Sequence, residues 1–165
     1  MSREIFDKAI DFTLQWEGGY VWDKDDSGGE TKFGVAKRYH KDIDIKNLTL
    51  EQAKEIYYRD YWLPASCDDF EQSAAICLFD ASVNCGLHRA VQFLQRAINV
   101  LDDGMLGPKT IKAAESLSDI HIALSMIEQR KKYYHTKVTE NPVKSKFLKG
   151  WLNRCDALEK FMRTI

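Results

Sequence analysis

Glu17 is followed at once by Gly18, Gly19 and Tyr20, and nine residues beyond it stands Asp26, leading into Ser27, Gly28, Gly29, Glu30 and Thr31. A carboxylic acid at a glycine break, with a second carboxylate and a hydroxyl close behind, can protonate a leaving oxygen while a water is positioned on the far side. That combination cleaves glycosidic bonds. Glu17 would be the general acid, Asp26 the group that orients the water or stabilises charge, and Thr31 a secondary contact. Tyr20, Gly28 and Gly29 would touch the sugar, and Gly18 and Gly19 would leave backbone open beside the acid for it to approach. Taken locally, the pattern also fits a solvated glutamate ahead of a glycine cap.

The elements around Glu17 follow from periodicity. Ile5, Ala9, Phe12 and Trp16 recur at steps of four, three and four, which predicts a helix with one buried stripe and Glu17 in its last turn. There the macrodipole opposes a negative charge and Trp16 and Tyr20 can exclude water, both of which favour the protonated acid. Tyr20 to Trp22 suit a strand, Asp25 to Gly29 a turn, and Thr31 to Val35 the returning strand of a small hairpin. Asp23, Asp25, Ser27 and Gly28 also match the opening of a calcium-binding EF-hand loop, but the twelfth position, where a bidentate glutamate is needed, is Gly34. No metal or other cofactor is expected, because acid-assisted glycoside hydrolysis needs none.

Together, the segment Glu17 to Tyr20 and the run Asp26 to Val35 resemble the signature of glycoside hydrolase family 108. Members are peptidoglycan-degrading lysozymes, usually N-acetylmuramidases, known as phage and prophage endolysins and as bacterial secretion activators. Asp60, Tyr61 and Trp62 resemble the family's acid and aromatic stretch, and Phe79, Asp80, Val83, Asn84 and Gly86 its second helical block. Asp103, Gly104, Gly107, Pro108 and Thr110 resemble the turn of the peptidoglycan-binding segment that follows. The resemblance implies a mainly helical α+β, lysozyme-like fold with a hairpin at the active site and Glu17 as catalytic acid. It implies a catalytic region over residues 1–92 and a peptidoglycan-binding-like region over 93–165, packed as one body. It also implies cleavage between N-acetylmuramic acid and N-acetylglucosamine, leading to lysis. A non-catalytic binding or secretion-activating protein and a lytic transglycosylase are the alternatives.

The remaining helices carry their own start and stop signals. Thr49 and Gln52 form a capping box for a helix that ends before Pro64. It carries Tyr57, Tyr58, Tyr61 and Trp62; Tyr57 reads as core, while Trp62 or Tyr61 could stack on a sugar. From Ile76 to Ile98 the apolar steps predict a buried helix pair broken near Gly86, where Asn84 would either cap the helix or hydrogen-bond an acetamido group. Pro108 suits the first turn of a further helix. Another starts after Ser118 with Ile120, Leu124 and Ile127 inward and ends at Asn141 and Pro142.

At 165 residues with 44% hydrophobic residues and a net charge of −1, the chain suits one compact body. It is not basic enough to suggest nucleic-acid binding. Cys67, Cys77, Cys85 and Cys155 lack paired short spacing and read as core thiols. From Asn141 onward six basic residues, Arg154 among them, face two acidic ones. Phe147, Trp151, Leu158 and Phe161 would pack inward there, leaving a basic face that could touch anionic surfaces. With no apolar run long enough to span a membrane and no apolar leader at the N-terminus, the expected route is accumulation in the host cytoplasm as a monomer, then release to the wall by a holin.

Overall fold

The computed structural model describes residues 2–18, 21–22 and 29–165. The expectations for Tyr20, Asp26 and Gly28, and the opening of the calcium-like loop at Asp23, Asp25 and Ser27, lie outside the described residues.

Among the described residues the chain is mainly helical with one small sheet. Helix α1 (Ser2–Leu14) leads to strands β1 (Val21–Trp22), β2 (Glu30–Lys32) and β3 (Val35–Ala36), then come α2 (Leu50–Tyr57), α3 (Gln72–Cys85), α4 (Leu87–Ala97), α5 (Pro108–Glu115), α6 (Asp119–Glu140) and α7 (Ser145–Met162). The strands pair antiparallel in the order β1-β2-β3, with Thr31 opposite Val21 and Ala36. The expected returning strand Thr31 to Val35 is therefore two strands. Phe33 and Gly34 both take positive φ, 50° and 75°, the requirement of a tight turn whose twist matches its strands.

Local signals account for several helix ends. Thr49 accepts from the Gln52 backbone while the Gln52 side chain accepts from the Thr49 backbone, completing the capping box. Gly86, at φ 83°, separates α3 from α4. Pro108 opens α5. Side chains cap α3 from a distance: Asp119, at the start of α6, accepts from the backbone N–H groups of Ser73 and Ala74 at 2.7 and 2.8 Å.

One apolar core runs from Phe6 to Met162 and spans both halves of the chain. Within it α1 buries Phe6, Ala9, Ile10, Phe12 and Thr13, while Trp16 stays 38% exposed beyond the helix end. On α6 the inward positions are Ile122, Ala123, Met126, Ile127, Arg130 and Tyr134, and Ile120 is exposed. On α7 Leu158 is buried and Phe161 packs against the core, but Phe147 is 50% exposed and Arg154 is inside.

A π-turn over Tyr58–Trp62 extends α2 and decides which aromatic faces inward. Trp62 is 1% exposed, packs against Phe6 and Phe79 at 5.4 and 5.7 Å between ring centroids, and donates its indole N–H to Asp68 at 2.7 Å. A ring so enclosed cannot stack on a sugar, which corrects the substrate-binding expectation for Trp62.

At the centre, Asp80 on α3 is fully buried with two arginines. Arg130 of α6 donates from Nη1 at 2.7 Å, Arg154 of α7 from Nη2 at 2.7 Å and Nε at 3.2 Å, and Thr13 of α1 from its hydroxyl at 2.9 Å. Burial alone would push this carboxyl up, but Arg130 and Arg154 outweigh it and bring Asp80 down to about 2. Four helices thus meet on one carboxylate.

Two outcomes follow. Trp62→Ala is expected to cost about 3–5 kcal/mol, as for other large buried aromatics, read by urea unfolding. Asp80→Asn strands two buried guanidinium groups and is expected to cost about 3–5 kcal/mol at neutral pH. Because Asp80 titrates below the ~3.9 of an unfolded chain, its contribution is full above about pH 4 and is lost as the pH falls toward 2. Acid titration of unfolding should show this loss in the wild type and not in Asp80→Asn.

Candidate active site

Glu17 does not lie in the last turn of α1. The helix ends at Leu14, and two tight turns, Gln15 N–H to Phe12 O and Trp16 N–H to Thr13 O, carry the chain out of it. The carboxylate is therefore held by distant elements instead of by a helix terminus. Arg154 donates from Nη1 to Glu17 Oε1 at 3.1 Å, and the Glu17 side chain keeps 22% of its surface open. Since Nη2 and Nε of the same guanidinium bind Asp80, one planar group aims both carboxylates.

The second clamp is the turn between β2 and β3. A Cβ on Gly34 would collide with the Tyr57 hydroxyl and come within 3.0 Å of Glu17 Oε2 and 3.2 Å of Glu17 Cβ. Glycine is needed there for the close approach as well as for φ. The Tyr57 hydroxyl donates to Phe33 O at 2.8 Å and pins the turn to α2. Burial first, then the Glu17 charge, raises the Tyr57 phenol, so it stays a neutral donor. Tyr61, stacked at a tilt 5.5 Å from Tyr57, is raised by burial, then by Asp60 and Glu17. It is half-buried. Of Tyr61 and Trp62, it is Tyr61 that solvent can reach and that the Glu17 charge acts on.

On its inner side the network continues from Asp80 to Asn84. Arg130 donates from Nη2 to Asn84 Oδ1 at 3.0 Å and from Nε to Tyr134 at 2.9 Å, and the Tyr134 hydroxyl also donates to Asn84 Oδ1. Asn84 is neither a helix cap, which falls at Gly86, nor buried; its amide oxygen is spent inside the protein. Thr31 is half-buried on β2, three residues before Gly34. Gly29 sits at φ 64°, and among the described residues nothing lies within 4 Å of where its side chain would be.

Arg154, Gly34, Tyr57 and Asp80 were not among the site residues expected from the sequence. Two of them carried a signal. Asp80 is a lone charge in the apolar run Ala74 to Ala81, and Arg154 falls in the stripe Trp151, Leu158, Phe161 at helical spacing. A charge on a buried stripe requires a partner.

Gly34→Ala is expected to lose about 1–3 kcal/mol from the strained φ alone, with the contacts to Tyr57 and Glu17 adding to it. Tyr57→Phe, which deletes only the bond to Phe33, should cost about 1 kcal/mol. Urea unfolding of both variants checks the order.

Comparison with known proteins agrees with this architecture. Residues 10–86 match Glycosyl hydrolase 108 and residues 89–156 match the Predicted Peptidoglycan domain. No curated protein matches the chain. Among solved structures it is similar to the structure of Brucella abortus SagA, at 27% identity and a TM-score of 0.79, over 97% of this chain and 94% of that one. The mainly helical fold with its small sheet is lysozyme-like, and among the described residues no helix is long and apolar enough to cross a membrane. With Glu17 inside the first matched segment and most of α4, all of α5 and α6 and most of α7 in the second, the chain joins a glycosyl hydrolase 108 segment to a peptidoglycan-binding segment, which supports a lysozyme-type, peptidoglycan-hydrolysing role.

Proposed function

We propose that the protein hydrolyses the β-1,4 bond between N-acetylmuramic acid and N-acetylglucosamine, with Glu17 as general acid. The observation that carries this reading is the holding of Glu17: Arg154 occupies Oε1, and the side chain remains partly open to solvent. The proton to be delivered would sit on Oε2, the oxygen beside Gly34. An acid fixed from two sides and still reachable meets the geometric demand of proton transfer.

Water attack needs a second group on the far face of the sugar. Asp80 cannot serve, since it is fully buried and spent on two arginines. The role falls to Asp26, nine residues after the acid, with Thr31 as secondary contact. Tyr20, Gly28, Gly29 and the Asn84 amide N–H groups would meet the acetamido sugars. In an endolysin setting the enzyme would reach the wall through a holin and lyse the cell.

The test is mass spectrometry of fragments released from purified peptidoglycan by wild type and Glu17→Gln. Reducing muramic ends from the wild type, with Glu17→Gln slower by about 10²–10⁴-fold, are the expected result, and Asp26→Asn should lose less. Anhydro ends would mean a transglycosylase. Absence of fragments from the wild type would move the protein to the binding class, and undiminished release by folded Glu17→Gln would remove the acid from Glu17.

A further inference from the structure

Helices α4 and α6 enclose a pocket of ≈ 240 Å³ in the peptidoglycan-binding segment, and its charge is one-sided. Arg89 and Arg96 of α4 and Lys132 and Lys137 of α6 line it, against Glu140 alone. Helical spacing explains the gathering: Arg89 and Arg96 are two turns apart on one face of α4, while Tyr133 and Lys137 are one turn apart on α6.

The cations are arranged and largely uncommitted. Arg89 lies over the Tyr133 ring, 4.7 Å from its centroid, and the Lys137 ammonium lies 5.0 Å from the same centroid. Such seating fixes a guanidinium plane and leaves its N–H edges to bind an oxyanion. Arg96 is held by Asp102 at 2.6 Å. Among the described residues, Arg89, Lys132 and Lys137 have no carboxylate at ion-pair distance. A concave site lined by one sign of charge concentrates the opposite sign.

We propose that this pocket binds the carboxylates of the peptide stems of peptidoglycan. The inference rests on the peptidoglycan reading of the chain. N-acetyl sugars are neutral, and the carboxylates of unmodified peptidoglycan are in its stems, so a cationic pocket in a peptidoglycan-binding segment has the stem as its complement. Bidentate guanidinium binding suits a carboxylate.

The experiment is titration calorimetry on the full chain carrying Glu17→Gln, which keeps the ligand intact under the proposed mechanism. The two ligands are a disaccharide bearing a tetrapeptide stem and the same disaccharide without it, its lactyl carboxyl blocked as the amide so that it carries no carboxylate. The stem should tighten binding, and adding Arg89→Gln with Lys132→Gln should weaken the stem-bearing ligand by about tenfold or more while leaving the stemless one unchanged. Lys132→Glu alone, at an exposed position, should act in the same direction without disturbing the Arg89 packing. Equal affinity of parent and substituted proteins for the stem-bearing ligand, or equal affinity of the parent for both ligands, would overturn the proposal. Cleavage by the wild type is read separately, so either result leaves the assignment of Glu17 standing or falling on its own test.

Discussion

Everything in this fold leans on a carboxylate that water does not reach. Asp80 sits on α3 with no exposed surface, and a charge there is tolerable only if it is neutralised in place. Arg130 and Arg154 do this, and Thr13 supplies a further donor. Together with Glu17 the cluster holds two acids and two bases. Such a network specifies position more sharply than apolar packing does, because each missing bond leaves a charged group exposed to low dielectric. The mutual register of α1, α3, α6 and α7 is fixed by where four side chains must meet.

The same cluster ties the proposed acid to the core. Arg154 gives two nitrogens to Asp80 and one to Glu17, so much of its charge is met by the buried partner before Glu17 is reached. Glu17 is thereby oriented by a group that is itself immobile. From the other side the β2–β3 turn closes on it, with Gly34 permitting contact and Tyr57 holding the turn. Three segments that are far apart in sequence define the place of one carboxylate, and none of them is the helix that leads into it.

This division explains what was legible in the sequence. Features decided within one or two turns of chain could be read: the Thr49 capping box, the break at Gly86, Pro108 opening α5 and the helix end before Asn141. Glu17 itself stood out by its glycines. Features decided by long-range pairing were not legible. Arg154 counted as part of a basic surface, yet its partners lie 74 and 137 residues away. Trp62 and Tyr61 are adjacent, and only the π-turn settles which of them is enclosed. The strand expected from Thr31 to Val35 failed because Phe33 adopts a positive φ, which β-propensity gives no reason to anticipate.

Helix α6 shows how one element can serve two needs. Arg130 and Tyr134, a turn apart, face the Asp80 network, while Tyr133 and Lys137, also a turn apart, face the cationic pocket. Adjacent residues on a helix are separated by about 100°, so the inner pair can be fixed by buried bonds while the outer pair lines the pocket. Tyr133 and Tyr134 touch, with ring centroids 5.7 Å apart. The ring under Arg89 and Lys137 is therefore packed directly against the buried cluster. A pocket of like charges held by mobile side chains would relax by spreading apart. Here the aromatic floor is anchored through Tyr134 to Arg130, and through Arg130 to the carboxylate that also aims Arg154 at Glu17.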